Sequence, residues 1–169
     1  MEKIASFTVN HNVLAPGLYL SRRDGEVSTF DLRFKKPNTG DLLTNAQLHS
    51  VEHVIATLLR NSPERDAVIY FGPMGCQTGF YFLFDSRRLT DAEAIALLQR
   101  VFTAGAAYDG PMPGKSAAEC GNYRNLDAAL APGVLRLLRG RDPPLDTGGP
   151  GLSGGLNFSR KGRKPDRLL

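Results

Sequence analysis

Two histidines four residues apart, His49 and His53, enclose a glutamate, Glu52, within a run from Thr44 to Asn61 that reads as helix. With roughly 3.6 residues per helical turn, positions i and i+4 stack on one face, so both imidazoles reach one metal ion and Glu52 stands beside it. Such an arrangement is catalytic in kind. Histidines at this spacing also arise on solvated or hydrogen-bonded helix faces, so the motif is a hypothesis until its surroundings agree. Leu48, Val51, Val54, Ile55, Leu58 and Leu59 give the helix an apolar stripe, which predicts that it is largely buried. Burying two imidazoles and a carboxylate needs compensation, and a metal provides it.

A metal on His49 and His53 needs a third ligand and an open position for water or substrate. Two adjacent residues qualify, Glu119 and Cys120. With Glu119, the H-x-x-E-H order suggests an inverted-zincin peptidase in which Glu52 activates a water. With Cys120, the site mixes nitrogen and sulfur and leaves Cys76 as a second, unligated thiol. Cys76 lies in a turn from Gly72 to Gly79 containing three glycines and one proline, which presents the thiol at a bend. The blander reading is a small buried thiol. A free thiol beside a Lewis-acidic metal and a carboxylate suits proton movement next to a carbonyl better than it suits peptide hydrolysis.

The elements that must hold these groups are legible in outline. Residues 4 to 10 read as a short extended segment, Leu18 to Ser21 as a strand, and Arg23-Asp24-Gly25-Glu26 as a hairpin turn. Val27 to Phe34 has period two, with Phe30, Leu32 and Phe34 on one face and Thr29, Asp31 and Arg33 on the other; alone, the polar face reads as solvated. Thr44 or Asn45 is the expected N-cap of the histidine helix. Ala67 to Phe71 and Phe80 to Phe84 are strands flanking the cysteine turn. Thr90-Asp91-Ala92-Glu93 is a capping box opening a helix through about Ala107, with Ile95, Leu98 and Phe102 inward. A last helical stretch from Asn125 should be interrupted at Pro132-Gly133, with Val134 to Arg139 resuming it.

The chain of 169 residues suits one domain with a real core. Its net charge of +4 sits wholly in the last ten residues, so the body is neutral and a nucleic-acid function is disfavoured. Residues 140 to 169 hold seven glycines and four prolines and read as a basic, disordered tail after a domain spanning 1 to 139. No apolar run is long enough to span a bilayer and the N-terminus lacks a signal-peptide core, so a cytoplasmic protein without membrane contact is expected. In that reducing setting the two cysteines are expected to be free, metal-bound or catalytic rather than bridged.

Five segments, in order, carry a wider likeness: Ser6 to His11, Phe30 to Phe34, His49 to His53, Pro73 to Tyr81 and Glu119 to Arg124. Together they resemble S-ribosylhomocysteine lyase, the bacterial family that makes the autoinducer-2 precursor of quorum sensing. The resemblance implies an α+β fold, an antiparallel sheet packed with helices in a two-layer α/β sandwich. It also implies a homodimer with active sites at the interface, drawing on both subunits. His49, His53 and Cys120 match the family's metal ligands, with iron(II) as the native metal and zinc or cobalt as substitutes. Cys76 matches the catalytic thiol, Glu52 the second acid and base, and Ser6, His11 and Arg33 the lining of the substrate pocket. The implied reaction on this small-molecule substrate migrates the ribose carbonyl to C3, then expels homocysteine by β-elimination, leaving 4,5-dihydroxy-2,3-pentanedione.

Three departures accompany the likeness. The family usually has an aspartate three residues before the Pro-Met-Gly-Cys turn, where it helps hold the homocysteine ammonium; here that place is Tyr70, a neutral phenol. Asn10-His11 stands where the family has Asp-His, and Pro132-Gly133 falls where it has a continuous amphipathic helix. The alternatives are therefore a non-catalytic metal-binding homologue and, more distantly, the small peptidase.

Overall fold

The structure, a computed structural model, describes residues 9–139 together with 145–146. Ser6, most of the segment expected to be extended over residues 4 to 10, and the tail apart from 145–146 lie outside the described residues.

The chain opens with strands β1 (Gly17–Asp24) and β2 (Val27–Arg33), joined at Gly25-Glu26 by a two-residue turn whose first position has φ +59°. That sign at a first central glycine makes a turn whose twist matches the strands it joins. Helix α1 (Asn45–Arg60) follows, then β3 (Val68–Pro73), β4 (Gly79–Asp85), α2 (Asp91–Ala106) and α3 (Leu130–Arg139). The sheet order is β3-β4-β2-β1-β5, antiparallel except for β5 (Leu145–Asp146), which lies parallel to β1 against Leu18 and Tyr19. An antiparallel sheet packed with three helices is an α+β fold, as the resemblance implied.

Register explains the core. Phe30 of β2 stands between Leu20 and Phe82, and Leu32 between Leu18 and Phe80, so one face of the sheet is a continuous apolar surface. Phe30 and Phe84 meet edge to face at 5.1 Å, as do Phe34 and Phe80 at 5.2 Å. Onto this surface α1 sets Val51, Val54, Ile55 and Leu59, and α2 sets Leu97 and Leu98, all within one buried cluster. Val134 and Leu135 of α3 complete it. Both long helices start on capping boxes, Thr44 with Gln47 and Thr90 with Glu93, which fix where each begins.

Several expectations need correction. Pro132-Gly133 does not interrupt a helix, because α3 begins only at Leu130 and the proline falls in its first turn, where no intrahelical N–H bond is lost. The polar face of β2, which reads as solvated alone and as pocket lining by the resemblance, is not solvated: Thr29 and Arg33 are buried. Strand β1 runs three residues past the expected Ser21, because its pairing with β2 extends to Asp24 opposite Val27. Within the expected tail, Leu145–Asp146 forms a strand. Among the described residues no helix is long and apolar enough to cross a membrane.

Candidate active site

The site is built on the loop between β3 and β4. Gln77 donates its backbone N–H to the Met74 carbonyl at 3.0 Å, closing a turn with Gly75 and Cys76 at its apex, and Gln77 takes the left-handed conformation at φ +60°. The turn is clamped from the segment after β2: Phe34 and Lys35 both donate to the Thr78 carbonyl, and Leu43 donates to that of Gln77. At Gly79 the chain crosses so close to β2 that an added Cβ would stand 2.0 Å from the Leu32 carbonyl oxygen. Only glycine fits this crossing, which sets the turn on the end of the sheet.

Cys76 is exposed and unbridged. Its sulfur lies 3.1 Å from the Thr78 hydroxyl and 3.5 Å from Nη1 of Arg33, a side chain only 2% exposed. Arg33 is held by Asp31, which accepts from both Nε and Nη2, while Nη1 donates to Thr78 at 2.5 Å. Burial alone would push the Cys76 thiol up; the Thr78 hydroxyl and amide, then Arg33, outweigh it and hold the thiol below its usual range. A cavity of about 240 Å³ opens there, lined by His11, Arg33, Leu42, Cys76 and Thr78 among others. His11, Arg33 and Cys76 are thus brought together around one cavity.

On the other side of the turn lies the histidine pair. His49 and His53 stand edge to face at 4.7 Å on α1, and Cys120 brings its sulfur to 3.4 Å from Nε2 of His49. The donor atoms of His49, His53 and Cys120 all lie within 4.8 Å of one another. A tetrahedral ion with metal–nitrogen and metal–sulfur bonds of about 2.0 to 2.3 Å places its ligands roughly 3.3 to 3.8 Å apart, so a small contraction suffices. Two imidazoles and a thiol are also a suitable donor set for a borderline-soft divalent metal.

Each donor is positioned by a neighbour. Pro113 O accepts from Nδ1 of His53 at 2.9 Å; a carbonyl cannot donate, so that nitrogen carries the hydrogen and the lone pair of a neutral ring is left on Nε2. The loop bearing Cys120 is tied to α1 twice, by Asp127 N donating to the buried Ser50 hydroxyl at 3.0 Å and by Asn125 donating to Asn45 at 2.6 Å. Burial, then the neighbouring His53, lowers the His49 imidazole from its ordinary value, which favours the neutral ring a metal requires. Glu119 is turned away: it is exposed and accepts from the Ser116 hydroxyl at 2.6 Å. The peptidase reading therefore loses the ligand it needed.

Glu52 lines a second cavity, of about 350 Å³, with His49, Gly75, Gln77 and Asn122 among its neighbours. Burial pushes its carboxyl up, partly opposed by His53, so it keeps a proton to higher pH than a free glutamate. The two cavities share no lining residue: Gly75 and Gln77 face one, Cys76 and Thr78 the other. Tyr70, where a family aspartate was expected, is 47% exposed and lies across Gly72, where an added Cβ would meet its hydroxyl at 1.8 Å. Burial and then the Glu52 charge raise its phenol.

Sequence reasoning missed Thr78, Ser50 and the Pro113 carbonyl. Thr78 had a faint signal in standing two residues beyond Cys76, whereas a backbone carbonyl leaves none.

A family model described as S-Ribosylhomocysteinase (LuxS) matches residues 4–138. The S-ribosylhomocysteine lyase of Desulfotalea psychrophila is 47% identical over 136 residues, covering 78% of this chain and 85% of its own. That of Clostridium beijerinckii is 43% identical over 136 residues at the same coverage. For Finegoldia magna the identity is 44% over 135 residues, covering 78% of this chain and 85% of that one. A likeness of this extent takes in both the thiol turn and the nitrogen and sulfur cluster, and by it the chain belongs to the S-ribosylhomocysteinase (LuxS) family.

Proposed function

We propose that this protein is a metal-dependent carbon-sulfur lyase that cleaves S-ribosylhomocysteine to homocysteine and 4,5-dihydroxy-2,3-pentanedione. The observation that carries the reading is a thiol held by Thr78 and Arg33 on one side of a turn, with a carboxyl lining a cavity beside a three-donor cluster on the other. Relatives bearing the lyase name support it.

His49, His53 and Cys120 would hold the ion, for which iron(II) is proposed, with zinc or cobalt able to replace it. Bound there, it supplies a Lewis acid beside the migrating carbonyl. Cys76 and Glu52 move the protons. A proton leaves C2 and returns at C1, and a second leaves C3 and returns at C2, carrying the carbonyl from C1 to C3. Loss of the C4 proton then breaks the C5–S bond, and homocysteine departs as a thiol once its sulfur is protonated. The C4–C5 enol left behind takes a proton at C5 and gives up its hydroxyl hydrogen to become the dione. No electron acceptor is needed. A thiolate takes such protons readily, and a carboxyl with a raised pKa gives them back. Ser6, His11 and Arg33 are proposed to line the sugar end of the pocket.

A homodimer is part of the reading, each site drawing on both copies. Its support is the separation of the two cavities and the large apolar side chains left exposed among the described residues: Leu42, which lines the first cavity, and Val9, Val13, Ile69 and Tyr70.

The test is anaerobic turnover of S-ribosylhomocysteine by iron(II)-loaded protein, following free thiol, with Cys76→Ala as control. Release of homocysteine that disappears in the variant supports the lyase. Silence from a fully metallated dimer refutes it and favours a non-catalytic metal-binding protein.

A further inference from the structure

Thr78 borders the Cys76 cavity but belongs neither to the donor cluster nor to the proposed acid and base pair. It is 2% exposed, and its side chain has two polar neighbours: Nη1 of Arg33 at 2.5 Å and Sγ of Cys76 at 3.1 Å. A guanidinium only donates, so the Thr78 oxygen must accept from Arg33. The hydroxyl has a single hydrogen, and the sulfur is the neighbour left to receive it. Asp31 makes this direction rigid, because it accepts from Nε and Nη2 and leaves Nη1 turned toward Thr78. The hydrogen bonds therefore run one way, from Asp31-anchored Arg33 to Thr78 to Cys76.

We propose that Thr78 is a positioning residue: its hydroxyl, oriented by the buried Asp31 and Arg33 pair, donates to the Cys76 sulfur and keeps that sulfur a thiolate facing the cavity. The inference rests on the reading of Cys76 as the thiol of the reaction. The charged and titratable groups around the sulfur are Arg33 and Asp31 on β2, Tyr81 on β4 and His11 across the cavity. Thr78 reaches the sulfur at 3.1 Å and the Arg33 guanidinium at 3.5 Å, so the hydroxyl makes the shorter of the two contacts and shares with Arg33 the stabilisation of a negative sulfur.

The experiment is the pH dependence of Cys76 alkylation by iodoacetamide in the metal-loaded protein. The Cys76 and Cys120 peptides are quantified separately by mass spectrometry, and thermal melts verify folding. Thr78→Val, which keeps the branched shape, is expected to raise the midpoint for Cys76 by about one pH unit, and Thr78→Ser to stay with the parent. Thr78→Ala serves as the second hydroxyl-free variant if the valine protein does not fold. A hydroxyl-free midpoint equal to the parent's overturns the proposal, and so does a serine midpoint displaced as far as the valine one. Alkylation needs no turnover: a shift in a protein that releases no homocysteine removes the lyase reading and leaves the Thr78 assignment standing.

Discussion

The ring of His53 fills the space that a side chain on Gly114 would need. A Cβ at Gly114 would stand 2.9 Å from Nδ1 and 3.1 Å from Cε1, and Gly114 holds φ at +66°, while Pro113 immediately before it takes the Nδ1 hydrogen. Ring and loop are therefore one unit. Gly114→Ala is expected to tilt the imidazole and lower metal affinity about 10- to 100-fold. Competition titration against a chelator measures this. The left-handed backbone adds a stability cost of about 1–2 kcal/mol, read from urea unfolding of the metal-free protein.

The two candidates for third ligand separate cleanly. Cys120→Ala should abolish stoichiometric metal binding, whereas Glu119→Gln should leave it intact, since that carboxylate is engaged by Ser116 at the surface. Metal content after gel filtration distinguishes them. Retention by the alanine variant with loss in the glutamine variant would return the peptidase reading.

Arg33 and Asp31 form an ion pair with side chains 2% and 14% exposed. Arg33→Leu leaves the Asp31 carboxylate without its partner and should cost about 3–5 kcal/mol in urea unfolding. Asp31→Asn added to it should recover part of that loss, because the residual buried charge is removed. Additive losses in the double variant would mean the two residues do not act as a pair.

Asp85 is a site of acid sensitivity away from the chemistry. The Arg87 side chain, then its amide, bonds the carboxylate and lowers its pKa from 3.8 to about 2. A depressed folded value means that this stabilisation is complete above pH 3.8, the unfolded value, and is lost as pH falls toward 2. An NMR titration should find the Asp85 midpoint near 2, and Asp85→Asn should flatten the acid limb of the stability curve within that window.

Much of the site was readable in the sequence because it depends on local periodicity. The spacing of His49, Glu52 and His53, the Thr44 cap and the Gly-rich turn around Cys76 each follow from residues within a few positions of one another. Cys120 is singled out in the sequence only by the family resemblance, because its approach to His49 depends on a loop tied to α1 through Ser50 and Asn45, contacts spanning 77 and 80 residues. Likewise, nothing local says that the Thr29, Asp31 and Arg33 face of β2 is covered. Pro132 was misread because a proline is a breaker inside a helix and an opener in its first turn, and position alone decides which.

The turn that carries Cys76 divides its neighbours between two cavities with no residue in common, so Cys76 and Glu52 open onto different cavities of one chain. If each working site takes one cavity from each copy of the chain, two individually dead proteins can rescue one another. Dimers re-formed from equal amounts of Cys76→Ala and Glu52→Gln subunits would then recover about a quarter of parental activity, since half the dimers are mixed and one of their two sites is whole. Should both cavities serve one copy, the mixture stays silent, and a recessive lesion in either residue could never be complemented by the other.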